Sequence, residues 1–255
     1  MKTVWITGAG GLIGSTLART APGAAHELKV VALTRDRLDL TDAAAVRSEF
    51  HRQPPQLVIH CAALSKSPAC EANPRLARNL NVGVTALLAE LAAEIPLVFL
   101  STDLVFDGRA GNYAEEAAVN PLSVYAETKA AAEQVLRANP RHLIVRTSLN
   151  GGRSPTGDRG FNEQIRRAWQ AGQTLSLFTD EFRSPISAEV TARAIWELVA
   201  QNATGVYHVA GSEKLSRWQI GRLLAARWPQ LQHRFEAASL KDHAGDPRAT
   251  DTSWT

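Results

Sequence analysis

The sequence predicts an α/β protein: a doubly wound parallel sheet followed by a small C-terminal α/β cap. Three observations carry that expectation. Short apolar runs at residues 4–6, 29–33, 57–60, 97–100 and 142–146 alternate with longer helical patterns, the rhythm of a parallel sheet with crossover helices. The glycine-rich stretch Thr7-Gly8-Ala9-Gly10-Gly11-Leu12-Ile13-Gly14 stands where the first run ends and the first helix begins. After residue 150 the rhythm changes, and too few contiguous elements remain for a second independent core. The expected division is a sheet domain over 1–150 and a cap over 151–255 that does not fold alone.

Composition narrows the class. The 255 residues are 45% hydrophobic and 21% charged, with a formal net charge of +3, a globular composition with no apolar run long enough to span a membrane. The chain passes straight into strand-like sequence, so no secretory signal is expected. Cys61 and Cys70 are the only cysteines, so a reduced, cytoplasmic protein without a metal centre is expected. Scattered basic residues argue against nucleic acid as a partner and leave anionic small molecules.

Taken in order, the elements point to a dinucleotide. Gly8, Gly11 and Gly14 fall three apart; the first permits a tight turn, the second lets backbone approach a pyrophosphate, and the third lets helix pack on strand. The helix beginning there offers free amides and partial positive charge to phosphates. Thr34-Arg35 ends the second strand, where a carboxylate reads the ribose of NAD and an arginine the 2′-phosphate of NADP; here the tip is neutral, then basic. Asp39-Leu40-Thr41-Asp42 closes the next loop and caps a helix over 43–50. Pro54-Pro55 breaks the chain before the third strand, after which His60-Cys61-Ala62-Ala63 turns with small residues suited to a nearby cofactor.

A single helix is predicted over 74–94, with Asn81 amid apolar positions, and the fourth strand ends in Ser101-Thr102-Asp103. After a polar loop over 107–120, a helix over 124–138 opens with Tyr125-Ala126-Glu127-Thr128-Lys129, which sets Tyr125 and Lys129 on one face. Three Tyr and six Lys make that spacing a roughly 7% chance event, so its position after Thr102 carries the signal. The fifth strand ends in Thr147-Ser148. Beyond it, 151–160 is glycine-rich, basic and expected to be mobile. Helices over 161–171 and 188–201, strands over 175–178 and 206–209, and a helix capped by Ser216 complete the chain.

The glycine turn, His60-Cys61-Ala62-Ala63, Cys70-Glu71-x-Asn73-Pro74, Asn81-Val82, the run from Ser101 to Gly108, Tyr125-x-x-x-Lys129 and Arg146-Thr147-Ser148 resemble the extended short-chain dehydrogenase/reductases. Within that group they resemble the dTDP-4-dehydrorhamnose reductase branch, over nearly the whole chain. The resemblance implies an NADPH-dependent reductase acting on the C4 ketone of a nucleotide-linked 6-deoxy sugar. Thr102, Tyr125 and Lys129 would be catalytic: Thr102 bonds the carbonyl oxygen, Tyr125 donates the proton, and Lys129 lowers the phenol pKa and holds the nicotinamide ribose. Cofactor contacts would come from Gly8, Gly10, Gly11, Leu12, Ile13, Gly14, Thr34, Arg35, Asp39, Leu40, Cys61, Ala62, Ala63, Asn81, Tyr125 and Lys129. In the superfamily the residue similar to Asn81 organises a proton-relay water. The sugar nucleotide would meet Thr102 and Asp103, with Arg153, Arg159, Arg183 and Arg248 as guanidinium forks for a diphosphate.

Two departures from the branch stand out. Leu104 replaces a customary aromatic, and the chain stops at Thr255 shortly after the stretch 246–253, which resembles the late substrate-side segment, where the family runs on into another helix. Epimerases and dehydratases share this scaffold, and the regulatory β subunit of methionine adenosyltransferase resembles the branch. An intact Thr102, Tyr125 and Lys129 favours the reductase. The fold is compatible with a homodimer.

Overall fold

The computed structural model describes residues 2–24 and 27–254. From the start, strand and helix alternate: β1 (Lys2–Thr7), α1 (Leu12–Ala24), β2 (Leu28–Leu33), α2 (Ala43–Arg52) and β3 (Leu57–His60). Next come α3 (Ser67–Ala72), α4 (Pro74–Arg78), a π-helical turn over Asn79–Gly83, α5 (Val84–Leu91) and β4 (Leu97–Thr102). A 3-10 turn over Asp103–Val105 leads through a long loop to α6 (Val124–Arg137) and β5 (Leu143–Thr147). The remainder holds β6 (Asn150–Gly151), α7 (Phe161–Gln170), β7 (Leu175–Phe178), β8 (Phe182–Arg183), β9 (Ile186–Ser187) and α8 (Ala188–Ala200). It ends with β10 (Gly205–Val209), β11 (Leu215–Ser216), α9 (Arg217–Arg227) and β12 (Phe235–Ala238).

Six of these strands build one parallel sheet in the order β10-β5-β4-β3-β1-β2. Val4, Trp5 and Ile6 are all fully buried, as a strand covered on both faces requires. Val4 and Ile6 pack with Leu17 of α1 and Ile195 and Trp196 of α8. Trp5 faces the other way, toward Val46, Leu88 and Leu136. The strand order reverses between β1 and β3, and ligands of such sheets lie at the carboxyl ends beside that switch point.

The structure corrects three expectations. The predicted helix over 74–94 runs without interruption from Pro74 to Leu91 but is shorter and less regular than expected: Asn73 caps its start by accepting from the Leu76 amide (3.0 Å), and a π turn around Asn81 separates α4 from α5. The boundary at 150 does not divide the chain cleanly, because β10 pairs with β5 along its whole length and α8 packs on the core. What remains of 151–255 forms the cap, including the pairs β7–β12 and β8–β11. Finally, 152–160 is hydrogen-bonded to the start of α7 rather than free. The last described residues thread back to the sheet's mouth: Asp251 donates its amide to Gly108 and Tyr113 donates its own to Ser253. Among the described residues, no helix is long and apolar enough to cross a membrane.

Candidate active site

The glycine turn joins β1, α1 and β3. Gly8 has φ +65°, and a Cβ there would lie 2.6 Å from the Ala62 amide nitrogen. Only glycine fits both demands. A Cβ on Gly14 would run into the Gly8 carbonyl, which is why α1 can start directly under the turn. Gly10 is exposed beside Thr34 of the second strand tip. The first amides of α1, those of Leu12 and Ile13 among them, have no acceptor within their own helix. Chain, turn and amides therefore fit a dinucleotide pyrophosphate. Arg35 is exposed, whereas Asp39 is turned to its own loop, one carboxylate oxygen accepting from the Thr41 amide (2.9 Å) and hydroxyl (2.8 Å). Leu40 packs toward the core.

Behind the turn runs a buried polar chain. Thr7 Oγ1 lies 2.7 Å from His60 Nδ1, and His60 Nε2 lies 3.1 Å from Thr85 Oγ1. Thr7 Oγ1 also accepts from the Ala62 amide (3.3 Å), which ties the tips of β1 and β3 together. Burial takes His60 down to about 3, so it serves as a neutral hydrogen-bonding imidazole. The Thr85 hydroxyl donates to the Asn81 carbonyl (2.7 Å). Asn81 Oδ1 accepts from the Leu64 amide (2.7 Å), and Nδ2 donates to the Leu64 carbonyl (3.1 Å) and to Thr128 Oγ1 (2.9 Å). The Asn81 side chain is thus spent on holding the loop after β3 to α6, a positioning task rather than the direct cofactor contact expected of it.

Thr102 and Tyr125 meet at the mouth of the sheet, and Lys129 lies one helical turn farther along α6. Thr102 ends β4, and Ser123 caps α6 by accepting from the Ala126 amide, so Tyr125 and Lys129 occupy its first turns. Burial raises the Tyr125 phenol above its ordinary value and the Asp103 carboxylate raises it further, while the Thr102 hydroxyl opposes both. Lys129 is 3% exposed. Its Nζ donates to the Leu100 carbonyl (2.6 Å) and stands 3.7 Å from the Phe99 ring centroid. Burial brings Lys129 down to about 7, against the pull of Glu133 and Cys61. The Cys61 thiol is pushed up to about 12 by burial, which makes it an inert wall.

A buried ion cluster backs this group. Asp103 Oδ2 accepts from Ser148 Oγ (2.6 Å), Thr252 Oγ1 (3.0 Å) and Arg183 Nη1 (3.2 Å), and Oδ1 accepts from Thr102 Oγ1 (3.2 Å). Arg183 Nη2 donates to Glu181 (3.2 Å). Glu181 also receives Arg217 (2.9 Å) and Arg248 (2.8 Å). Burial would raise the Glu181 carboxyl, yet Arg217, Arg183 and Arg248 outweigh it and hold it at about 2. A second cluster lies behind α6: Glu133 accepts from Ser101 Oγ (2.6 Å) and from the buried Arg146 (2.8 Å).

A family model described as the RmlD substrate binding domain matches residues 1–251. The chain belongs to this family. A dTDP-4-keto-6-deoxy-D-glucose reductase of Streptomyces niveus is 34% identical over 223 residues, 86% of this chain and 76% of that protein. A methionine adenosyltransferase 2 subunit beta of Danio rerio is 26% identical over 231 residues, 86% of this chain and 72% of that protein. Among solved structures, a dTDP-4-dehydrorhamnose reductase from Clostridium acetobutylicum has a TM-score of 0.89 at 26% identity, covering 99% of this chain and 90% of that one. Another, from Bacillus anthracis in complex with NADP, shows the same fold with a TM-score of 0.91 at 24% identity, covering 100% and 90%.

Within this RmlD-family site the expected residues divide into two groups. Gly8, Gly10, Gly11, Leu12, Ile13, Gly14, Ala62, Ala63, Thr102, Tyr125 and Lys129 all come from strand tips or the helix starts that follow them. Arg183 departs from expectation: at 4% exposure, with both Nη atoms bonded to protein, it braces the site from behind instead of offering a free fork. Arg248 is tied to Glu181 yet keeps 38% of its side chain exposed. Arg153 is exposed and makes no ion pair among the described residues. Glu181 was not singled out from the sequence, and Ser148 and Thr252 were noted only as parts of motifs, without a role.

Proposed function

We propose that this RmlD-family protein is an NADPH-dependent reductase of the C4 ketone of a nucleotide-linked 6-deoxy sugar, with dTDP as the nucleotide. The observation that carries the reading is the meeting of Thr102 and Tyr125, with Lys129 one helical turn on, at the mouth of a sheet whose first turn accepts only glycine at residue 8. NADPH, when bound, supplies the hydride. Gly8 to Gly14 would hold its pyrophosphate on the α1 amides, and Arg35 would pair with the 2′-phosphate. Lys129, one helical turn beyond Tyr125, would bond the nicotinamide ribose.

The chain's own chemistry is proton management. Tyr125 holds its proton through burial and Asp103, the opposite direction from the lowering expected of Lys129, so the proton is available but the phenol is a weaker acid than proton transfer near neutral pH favours. Charge that develops on the substrate oxygen is met by the Thr102 hydroxyl and the Tyr125 O–H. Once the phenol gives up its proton, the Lys129 cation stabilises the phenolate.

We take an open cleft in the cap, lined by Ser176, Phe178 and His243, as the place where a nucleoside would sit. The Arg248 guanidinium stands over the Phe178 ring, 5.3 Å from its centroid, where it would serve a diphosphate leaving that cleft. The dehydratase reading asks for a spare carboxylate near Thr102, and Asp103 is already committed to four donors. The Danio rerio relative raises a regulatory-subunit reading; a retained proton donor with its lysine stands against it. The two free thiols fit a reducing compartment, and we place the enzyme in the cytoplasm on that ground. The test is NADPH oxidation with dTDP-4-keto-6-deoxy sugar beside the same ketose without nucleotide. Turnover of the nucleotide-linked ketone alone supports the reading; equal turnover of both removes diphosphate recognition from it.

A further inference from the structure

One carboxylate outside the catalytic group collects four hydrogen bonds from a single short segment. Glu163, in the first turn of α7, is 8% exposed. Its Oε1 accepts from the Ser154 amide (2.7 Å). Its Oε2 accepts from the Ser154 hydroxyl (2.6 Å), the Arg159 amide (3.0 Å) and the Gly160 amide (2.9 Å). Ser154 Oγ in turn accepts from the amides of Asp158 (3.3 Å) and Arg159 (3.2 Å). Asn162 holds the other end: its Oδ1 accepts from the Gly152 amide (3.0 Å) and its Nδ2 donates to the Gly152 carbonyl (2.9 Å). Residues 152–160 are fastened at both ends to two adjacent side chains of one helix.

What this strap touches gives it a role. A Cβ on Gly152 would stand 3.2 Å from Leu12 Cδ1, and one on Gly160 would stand 3.4 Å from Leu12 Cδ2. The Leu12 side chain, 7% exposed, is gripped between the two ends of the strap. The Ala188 Cβ, at the start of α8, lies 3.3 Å from the same Gly152 position. Leu12 opens α1, so its backbone is part of the turn that presents amides to a pyrophosphate. A strap that loosened would free Leu12 and let those amides drift.

We infer that Glu163, with Asn162 beside it, is a positioning residue for the dinucleotide turn: it holds 152–160 rigid so that Gly152 and Gly160 clamp Leu12. The inference rests on the NADPH reading above, and its test separates the two. NADPH affinity is measured by fluorescence for the wild type, Glu163→Ala and Glu163→Gln, together with hydrogen–deuterium exchange of the strap amides in the cofactor-free protein. Glu163→Ala should speed exchange over 154–160 and raise the NADPH Kd about tenfold or more, the scale of losing one charge-assisted hydrogen bond. Turnover at saturating NADPH should stay within about twofold of wild type, the mark of lost binding rather than lost chemistry. Glu163→Gln, which keeps one acceptor oxygen, should fall between. Where Glu163→Ala does not fold, Asn162→Ala removes the Gly152 anchor alone and should shift both readouts in the same direction by less. Faster exchange with an unchanged Kd overturns the inference, as does unchanged exchange. A wild type that does not bind NADPH fails the cofactor reading itself, and the inference with it.

Discussion

Replacing Glu181 by Gln should unfold the case for a buried ion cluster in a measurable way. The side chain is fully buried and serves Arg183, Arg217 and Arg248 at once. The carboxyl sits at about 2 in the folded protein against an ordinary 4.5. At 1.36 kcal/mol per tenfold change, its ionised form contributes about 3 kcal/mol at neutral pH. Arg217 and Arg248 keep 23% and 38% of their side chains exposed, so solvent screening trims their share and about 2–3 kcal/mol is expected. The sign follows from the depressed folded value. The stabilisation is complete above the unfolded pKa and is lost as pH falls toward 2. Urea unfolding of wild type and Glu181→Gln at pH 7 and near pH 3 reads this directly. The variant should lose about 2–3 kcal/mol at pH 7, and less than half of that gap should remain near pH 3. A loss under about 1 kcal/mol at pH 7, or one that persists unchanged in acid, refutes the electrostatic argument.

Three further outcomes follow from the site. Tyr125→Phe should lower turnover by about 100-fold or more while leaving the NADPH Kd near wild type, checked by steady-state rates and fluorescence titration; full activity would overturn Tyr125 as the proton donor. Arg35→Ala should erase most of an NADPH-over-NADH preference of about 10- to 100-fold, checked by titrating both cofactors; equal affinities in the wild type sink the assignment. Lys129→Met should abolish activity yet raise the melting temperature of the cofactor-free protein at pH 6. Burial takes Lys129 down to about 7, so below that pH the ammonium is carried at a cost that Met removes. A lower melting temperature in the variant means the bond to Leu100 outweighs that cost.

The sheet and the placement of Thr102, Tyr125 and Lys129 at a strand tip and the helix start that follows it were legible because each rests on a local rule. Gly8 and Gly14 report backbone collisions, and Tyr125 with Lys129 reports helix periodicity. The π turn within the helix over 74–94 was hidden because nothing in Asn79-Leu80-Asn81-Val82-Gly83 forbids a regular α-helix. What selects the π turn is tertiary: Asn81 must reach both Leu64 and Thr128. Strand β10 was recognised as a strand but assigned to the cap, since chain order does not say which sheet a late strand joins. The role of Arg183 depends on Asp103 and Glu181 converging on it, one of them 80 residues away. Glu163 stands three residues after Gly160, a helix-start spacing visible in the sequence, but its hold on Ser154 and Arg159 exists only once the strap has folded back.

The central claim is hydride delivery to a sugar C4 carbon at the Thr102, Tyr125 and Lys129 group. The most direct measurement uses NADPH deuterated at the transferable position of the nicotinamide, dTDP-4-keto-6-deoxy sugar and the purified protein, with the product examined by NMR. The account predicts one deuterium at C4 of a nucleotide-linked product, and none with Tyr125→Phe over the same time. Product without deuterium, or deuterium at another carbon, contradicts it.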